Sequence, residues 1–193
     1  MSEELKKTTD YTSSFEYPSI TKIHSEPDYE QLKKIKDKLK ANATKIPSEL
    51  GVGAYGHLGL VLSATEYINI SAVPYVRPLH PGVLIIPPNA TERTEKRLRD
   101  EYKRLMALFH ETVNLENALK KQITGTIDDL YLEELRDSTT NTILFTIPFI
   151  LNHLFTNYGE IEPDNVTEKE QKVQNMQFTI SDPLIKLSKK KKT

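Results

Sequence analysis

The chain has no cysteine and no tryptophan, only seven glycines in 193 residues, and no apolar run close to the length of a membrane span. The absent cysteines exclude disulfides, thiolate metal sites and a thiol nucleophile. A bilayer-crossing helix needs about 18–20 apolar residues, and the N-terminus, MSEELKKTTD, has no apolar signal core. A cytoplasmic, soluble protein with no membrane contact is therefore expected. What is present is a moderately apolar chain, 37% hydrophobic and 27% charged, long enough for one domain with a real core.

Charge is unevenly placed. The formal net charge is −1, yet Lys186, Lys189, Lys190, Lys191 and Lys192 crowd the last eight residues, so the first 185 carry −6. A mildly acidic body is a poor groove for a polyanion. Any contact with RNA is expected at these five lysines, although a terminal lysine run is most simply a solvated one.

Four of the seven glycines fall between Gly51 and Gly59, and Gly51, Gly53 and Gly56 spell GxGxxG. A dinucleotide fingerprint needs a strand ending at the first glycine, a helix opening at the last, and an acid about 20 residues on. The residues before Gly51, ANATKIPSEL, read as a helix tail and a proline turn. Nor does a strand lysine, a catalytic HRD loop or a DFG site follow, as a kinase would require. The glycines are read as a flexible lead-in to an apolar element. An enzyme using them to hold a nucleotide is the third-ranked function.

Along the chain, residues 1–26 are polar around isolated aromatics and are expected to form a flexible N-terminal arm. Residues 27–178 form the helical domain, and residues 179–193 a short basic tail. A helix over Asp28–Ala43 is capped by Asp28 with Gln31 returning the bond, carries Leu32, Ile35 and Leu39 as its stripe, and ends at Pro47. Residues 57–70 are compatible with a buried helix or a short hairpin, since apolar runs this short cannot be typed by period, and helix is the expectation taken. Five of the eleven prolines lie in residues 71–90, which predicts a stiff extended loop, with Val83–Ile86 as a candidate strand.

The longest periodic element covers Thr91–Thr124, where Leu98, Tyr102, Leu105, Phe109, Val113, Leu119 and Ile123 recur at helical spacing. A short helix over Asp128–Arg136 follows. TIPFILNHLFTNYG then reads as a helix with Pro148 in its first turn and Gly159 as its terminator, and a more polar helix is expected over Pro163–Met176. The fold class is all-α: a bundle of about five to six helices with a proline-rich extended loop and little or no sheet.

The chemistry-bearing residues are scattered. His24, His57, His80, His110 and His153 stand at least 23 residues apart, and none belongs to HExxH or another short metal spacing. His110 is read as a surface residue and His153 as a boundary residue of its helix. The acid pairs Asp128–Asp129 and Glu133–Glu134 are explained by helix dipoles and solvation. No GxSxG elbow or aspartic-protease pair is present. Catalytic, cofactor-binding and metal-binding residues are accordingly none, and no enzyme is expected.

The block from Tyr29 to Met176, above all LKANATKIPSELGVGAYGHLGLVLSATEY, PYVRPLHPGVLIIP and TTNTILFTIPFILNHLFTNYGEI, resembles the Gag-like polyprotein segment of copia-type LTR retrotransposons. In that family an amphipathic helix ending in an aromatic and a glycine follows a threonine-rich turn, as Thr146–Gly159 does. The resemblance covers about three quarters of the chain. It implies a capsid-like helical domain that self-associates and packages its element's RNA, with no catalytic residue. Members generally continue into a second helical domain and sometimes a zinc knuckle, where this chain has DPLIKL and a lysine run. Tyr75, Arg77 and His80 in the proline-rich loop, with the exposed side of Thr91–Thr124, are the expected contact surfaces. A helical protein–protein adaptor is the alternative.

Overall fold

A computed structural model describes residues 11–159. Four α-helices and five 3-10 turns make up its regular structure, and among the described residues the sole β feature is an isolated antiparallel bridge between Arg136 and Ile143. The fold is therefore all-α, with four helices where five to six were expected. The helix expected over Pro163–Met176 lies outside the described residues.

Helix α1 spans Tyr29–Lys45. The Asp28 side chain accepts from the Gln31 amide at 2.8 Å while Gln31 Oε1 accepts from the Asp28 amide at 3.1 Å, so two orphan donors of the first turn are satisfied reciprocally. Its buried face is Leu32, Ile35, Leu39, Asn42 and Ala43, and it stops at Lys45 because Ile46, preceding Pro47, is forced into an extended conformation.

The 57–70 region is neither one helix nor a hairpin. Leu58–Leu60 forms a 3-10 turn and α2 spans Ala64–Ser71. Ser63 divides them: its extended backbone and a second reciprocal cap with Glu66 start a new helix there.

Helix α3 runs over Glu92–Thr126, 35 residues and about 50 Å long, with Thr91 accepting from the Thr94 amide. All six of its buried residues, Thr112, Leu115, Glu116, Leu119, Ile123 and Thr126, lie in the C-terminal half. The helix expected over Asp128–Arg136 is instead two 3-10 turns, Asp129–Tyr131 and Glu133–Leu135. Asp128 accepts from the Leu130 amide, and Leu132 and Leu135 are drawn into the core.

Helix α4 spans Ile147–Tyr158 with Pro148 in its first turn, and the Gly159 amide donates to the Phe155 carbonyl at 3.0 Å. Ile147, Ile150, Leu151 and Leu154 are buried. They meet α1 and the C-terminal half of α3 in one core that includes Leu32, Leu39, Leu115, Leu119 and Ile123. Tyr67, Leu58 and Leu62 form a smaller cluster beside it.

Residues 11–26, expected to be a free arm, are packed on this core. Phe15 and Ile23 are buried members of it. The buried Asn42 side chain brackets Tyr17, accepting from its amide at 2.7 Å and donating to its carbonyl at 2.9 Å, while Gln122 donates to the same carbonyl at 2.8 Å. The Ile23 amide donates to the Thr126 carbonyl. The segment lacks a core of its own and borrows that of the bundle. Residues 1–10 lie outside the described region.

Candidate functional site

Between α2 and α3, residues 73–90 adopt no regular secondary structure. Val83–Ile86, the candidate strand, forms no strand among the described residues. Some side chains of this segment contact the body and others are exposed, and the two sets have different chemistry.

One side faces the body. The Tyr75 ring lies over Gly59, where any Cβ would collide with it, and meets the Tyr67 ring edge-on at 5.5 Å. Its hydroxyl is 2.9 Å from His57 Nδ1. His57 is fully buried, and its Nε2 lies 2.7 Å from Glu111 Oε1 on α3. With the ring proton on Nε2, Tyr75 donates to Nδ1 and Nε2 donates to the carboxylate, so every polar group of the trio is used. Burial, reinforced by Tyr67, pushes the Tyr75 phenol well above its usual range; Arg77 opposes this and Glu111 and Glu116 add to it.

Arg77 reaches Glu116, a nearly fully buried carboxylate of α3 that Lys120 also holds at 3.2 Å. A buried carboxylate is tolerated when it is paired, and here two cations pair it. Further along, the His80 ring stands edge-on to Phe109 at 5.1 Å, and the Tyr102 hydroxyl donates to the Gly82 carbonyl at 3.1 Å. His110, expected at the surface, is half-buried, and its Nε2 is buried without a hydrogen-bond partner.

The other side faces outward and is aliphatic. Val76 is 67% exposed, Leu79 85%, Val83 85% and Ile85 80%. Ile68, Ile70 and Val73 extend the display back along the end of α2. Scattered apolar residues are ordinary on a surface, but seven exposed within an 18-residue stretch are a local concentration.

The three residues expected at contacts are thus brought together on one segment, but as its fasteners: Tyr75, Arg77 and His80 all touch the chain's own body. Lys186 and Lys189–Lys192 lie outside the described residues. Sequence reasoning passed over His57, Glu111 and Glu116. The signal for Glu116 was present, because a glutamate sharing the face of Leu115, Leu119 and Ile123 requires a buried partner. His57 carried only its apolar flank, HLGLVL, as a hint of burial.

The glycine fingerprint does not meet its structural demands. Among the described residues no strand precedes Gly51, and the next helix opens at Ala64. The Gly53 amide is committed to the Leu50 carbonyl and the His57 amide to Ala43. Gly56 has φ 52° and packs so closely on the Thr44 and Ile46 carbonyls that a side chain would displace them.

The acid pairs serve locally: Asp128 caps a turn and Asp129 bonds Arg136 at 2.5 Å. His153 shares hydrogen bonds with Asn157 and lies 3.9 Å from Glu134. Among the described residues no cluster of three or more His, Asp or Glu is placed to hold a metal, and no helix is long and apolar enough to cross a membrane. No protein-family model matches this chain, and neither a curated protein nor a solved structure matches it.

Proposed function

We propose that the chain is a non-enzymatic structural protein that self-associates, as the Gag-like resemblance implies, with the outward side of the 73–90 segment as its contact surface. The observation that carries this reading is the aliphatic row Val76, Leu79, Val83 and Ile85, held rigid from behind by Tyr75, Arg77 and His80. A segment already fixed by prolines and polar anchors loses little conformational entropy on binding, so apolar contact converts efficiently into affinity. The same reading places RNA at Lys186 and Lys189–Lys192 and gives the domain a capsid-like role.

Light scattering across a concentration series tests the self-association. Mass rising with concentration supports it, and a strict monomer under every condition overturns it. RNA binding through the tail predicts an affinity that falls steeply with salt and disappears when Lys189–Lys192 are deleted; salt-insensitive binding contradicts it.

A second reading, an adaptor that takes one peptide, is favoured by a separate feature. A cleft of about 560 Å³ lies between α1, α4 and the start of α2, with Tyr29, Val61, Leu151 and Phe155 at its apolar wall and Lys33 and Lys36 at its rim. A monomer that binds a single peptide there would move this reading ahead.

A further inference from the structure

On the opposite flank of α1, residues 20–25 run beside the helix and leave a groove of about 290 Å³. Its floor is Ile20 and Ile35, and its rim is Lys22, His24, Lys34 and Lys38. No carboxylate lines it. Of the nearby acids, Asp28 is committed to the α1 cap and Asp37 to Lys40, and Glu26 and Glu30 stand outside the lining. Lys38 lies 5.7 Å from the centroid of the Tyr17 ring, whereas Lys22 and Lys34 have no ion-pair partner among the described residues. Three lysines around an apolar floor, with no acid in the lining, favour an acidic ligand with an aliphatic residue between its charges.

The chain supplies that chemistry beside the groove. Residues 160–170, EIEPDNVTEKE, hold five acids and one lysine, and begin with Ile161 between Glu160 and Glu162. They follow directly on α4, whose last turns lie near Tyr29 and Glu26 at the start of α1. Phe155 packs edge-on against Tyr29 at 5.6 Å, one turn before Lys33 and Lys34. Tyr158 is close enough to Glu134 and Glu26 that, after its own burial, their charges raise its phenol pKa; Glu26 adjoins Ser25 of the groove wall. The rim from Gln31 to Lys38 covers about 10 Å of helix axis, which four residues of extended chain can follow at about 3.3 Å each.

We infer that the groove between residues 20–25 and α1 is the docking site of the chain's own acidic segment, Glu160–Asp164, with Ile161 on the Ile20–Ile35 floor and the acids against Lys22, Lys34 and Lys38. The contact is intramolecular. It would pin the segment leading to the basic tail to the same flank that holds residues 11–26, a relation that the self-association reading does not require.

Zero-length carbodiimide coupling of the full chain, prepared as an equal mixture of ¹⁴N- and ¹⁵N-labelled protein, tests it. The expected result is an isopeptide bond from Lys22, Lys34 or Lys38 to Glu160, Glu162 or Asp164, with both halves carrying one isotope. The Lys36–Glu66 pair, 2.6 Å apart, should couple in the same sample and reports that the body is folded. The double variant Lys34→Glu/Lys38→Glu should lose those two links, and adding Glu160→Lys/Glu162→Lys should restore them with reversed polarity. The inference is overturned if the Lys36–Glu66 link forms without the groove links, or if the groove links join different isotopes. Because the isotope pattern separates contacts within a chain from those between chains, failure here is distinguishable from failure to self-associate.

Discussion

Single positions in the glycine-rich stretch carry more of the fold than their size implies. Gly56 combines a positive φ with carbonyls where a side chain would go. Gly56→Ala should therefore destabilise the chain by at least about 1–2 kcal/mol for the left-handed backbone alone, read as a lowered denaturant midpoint. Tyr75→Phe removes one hydroxyl and leaves the fully buried Nδ1 of His57 without a donor. Its expected cost is about 1–3 kcal/mol, the desolvation penalty of an unpaired buried polar atom, and exposed-residue controls such as Leu79→Ala should cost far less. These positions were partly legible. The sequence announced that Gly51, Gly53 and Gly56 mattered, and the helix tail read before them argued against a phosphate loop. What it did not announce was the partner, because Tyr75 and Glu111 reach His57 from 18 and 54 residues away, and no local pattern encodes such a distance.

Elements were read best where their ends carry their own chemistry. Asp28 with Gln31, Pro47, Thr91, Pro148 and Gly159 each fixed a boundary to within a few residues, since caps and breakers act within one turn. The failures share one cause. In residues 57–70 and 128–136 the tertiary burial of Leu60, Leu132 and Leu135 decides between 3-10 and α geometry, and a short apolar run looks alike in both. The cap at Ser63 also yields a pH prediction. Partial burial pushes the Glu66 carboxyl up, but the Lys36 ammonium and the Ser63 bonds outweigh it and hold it below its usual value. A depressed folded pKa stabilises above the unfolded value and is lost as pH falls through the folded one. Glu66→Gln should therefore flatten the decline in stability between about pH 6 and about pH 3 relative to the parent chain, measured by denaturant midpoints. An unchanged slope would remove Glu66 from the acid transition.

At the scale of the molecule, residues 11–26 belong to the bundle. Asn42→Ala removes the two bonds that Asn42 makes to Tyr17 and leaves its carbonyl to Gln122, so amide hydrogen exchange should accelerate together at Tyr17 and Ile23 while Leu119 and Ile123 stay protected. Exchange unchanged at Ile23 would mean that Phe15 and Ile23 hold the segment without the bracket. The composition of residues 1–26 concealed this docking because one buried phenylalanine and one buried isoleucine among polar neighbours leave no periodic signal. The 73–90 segment makes the opposite prediction. Placing aspartate at both Leu79 and Val83 should leave stability within about 0.5 kcal/mol, as for exposed positions away from packing, yet lower the mass seen by light scattering at high concentration. A variant that unfolds would show that these side chains serve the body and not a partner.

The two sets of side chains on that segment separate two kinds of inheritance. Tyr75, Arg77 and His80 are bound to the requirements of His57, Glu116 and Phe109, so a change at any of them is felt by the body. Val76, Leu79, Val83 and Ile85 stand exposed among the described residues. Descendants of this sequence are then free to rewrite what the surface recognises, one outward residue at a time, while the helices beneath go on folding as before.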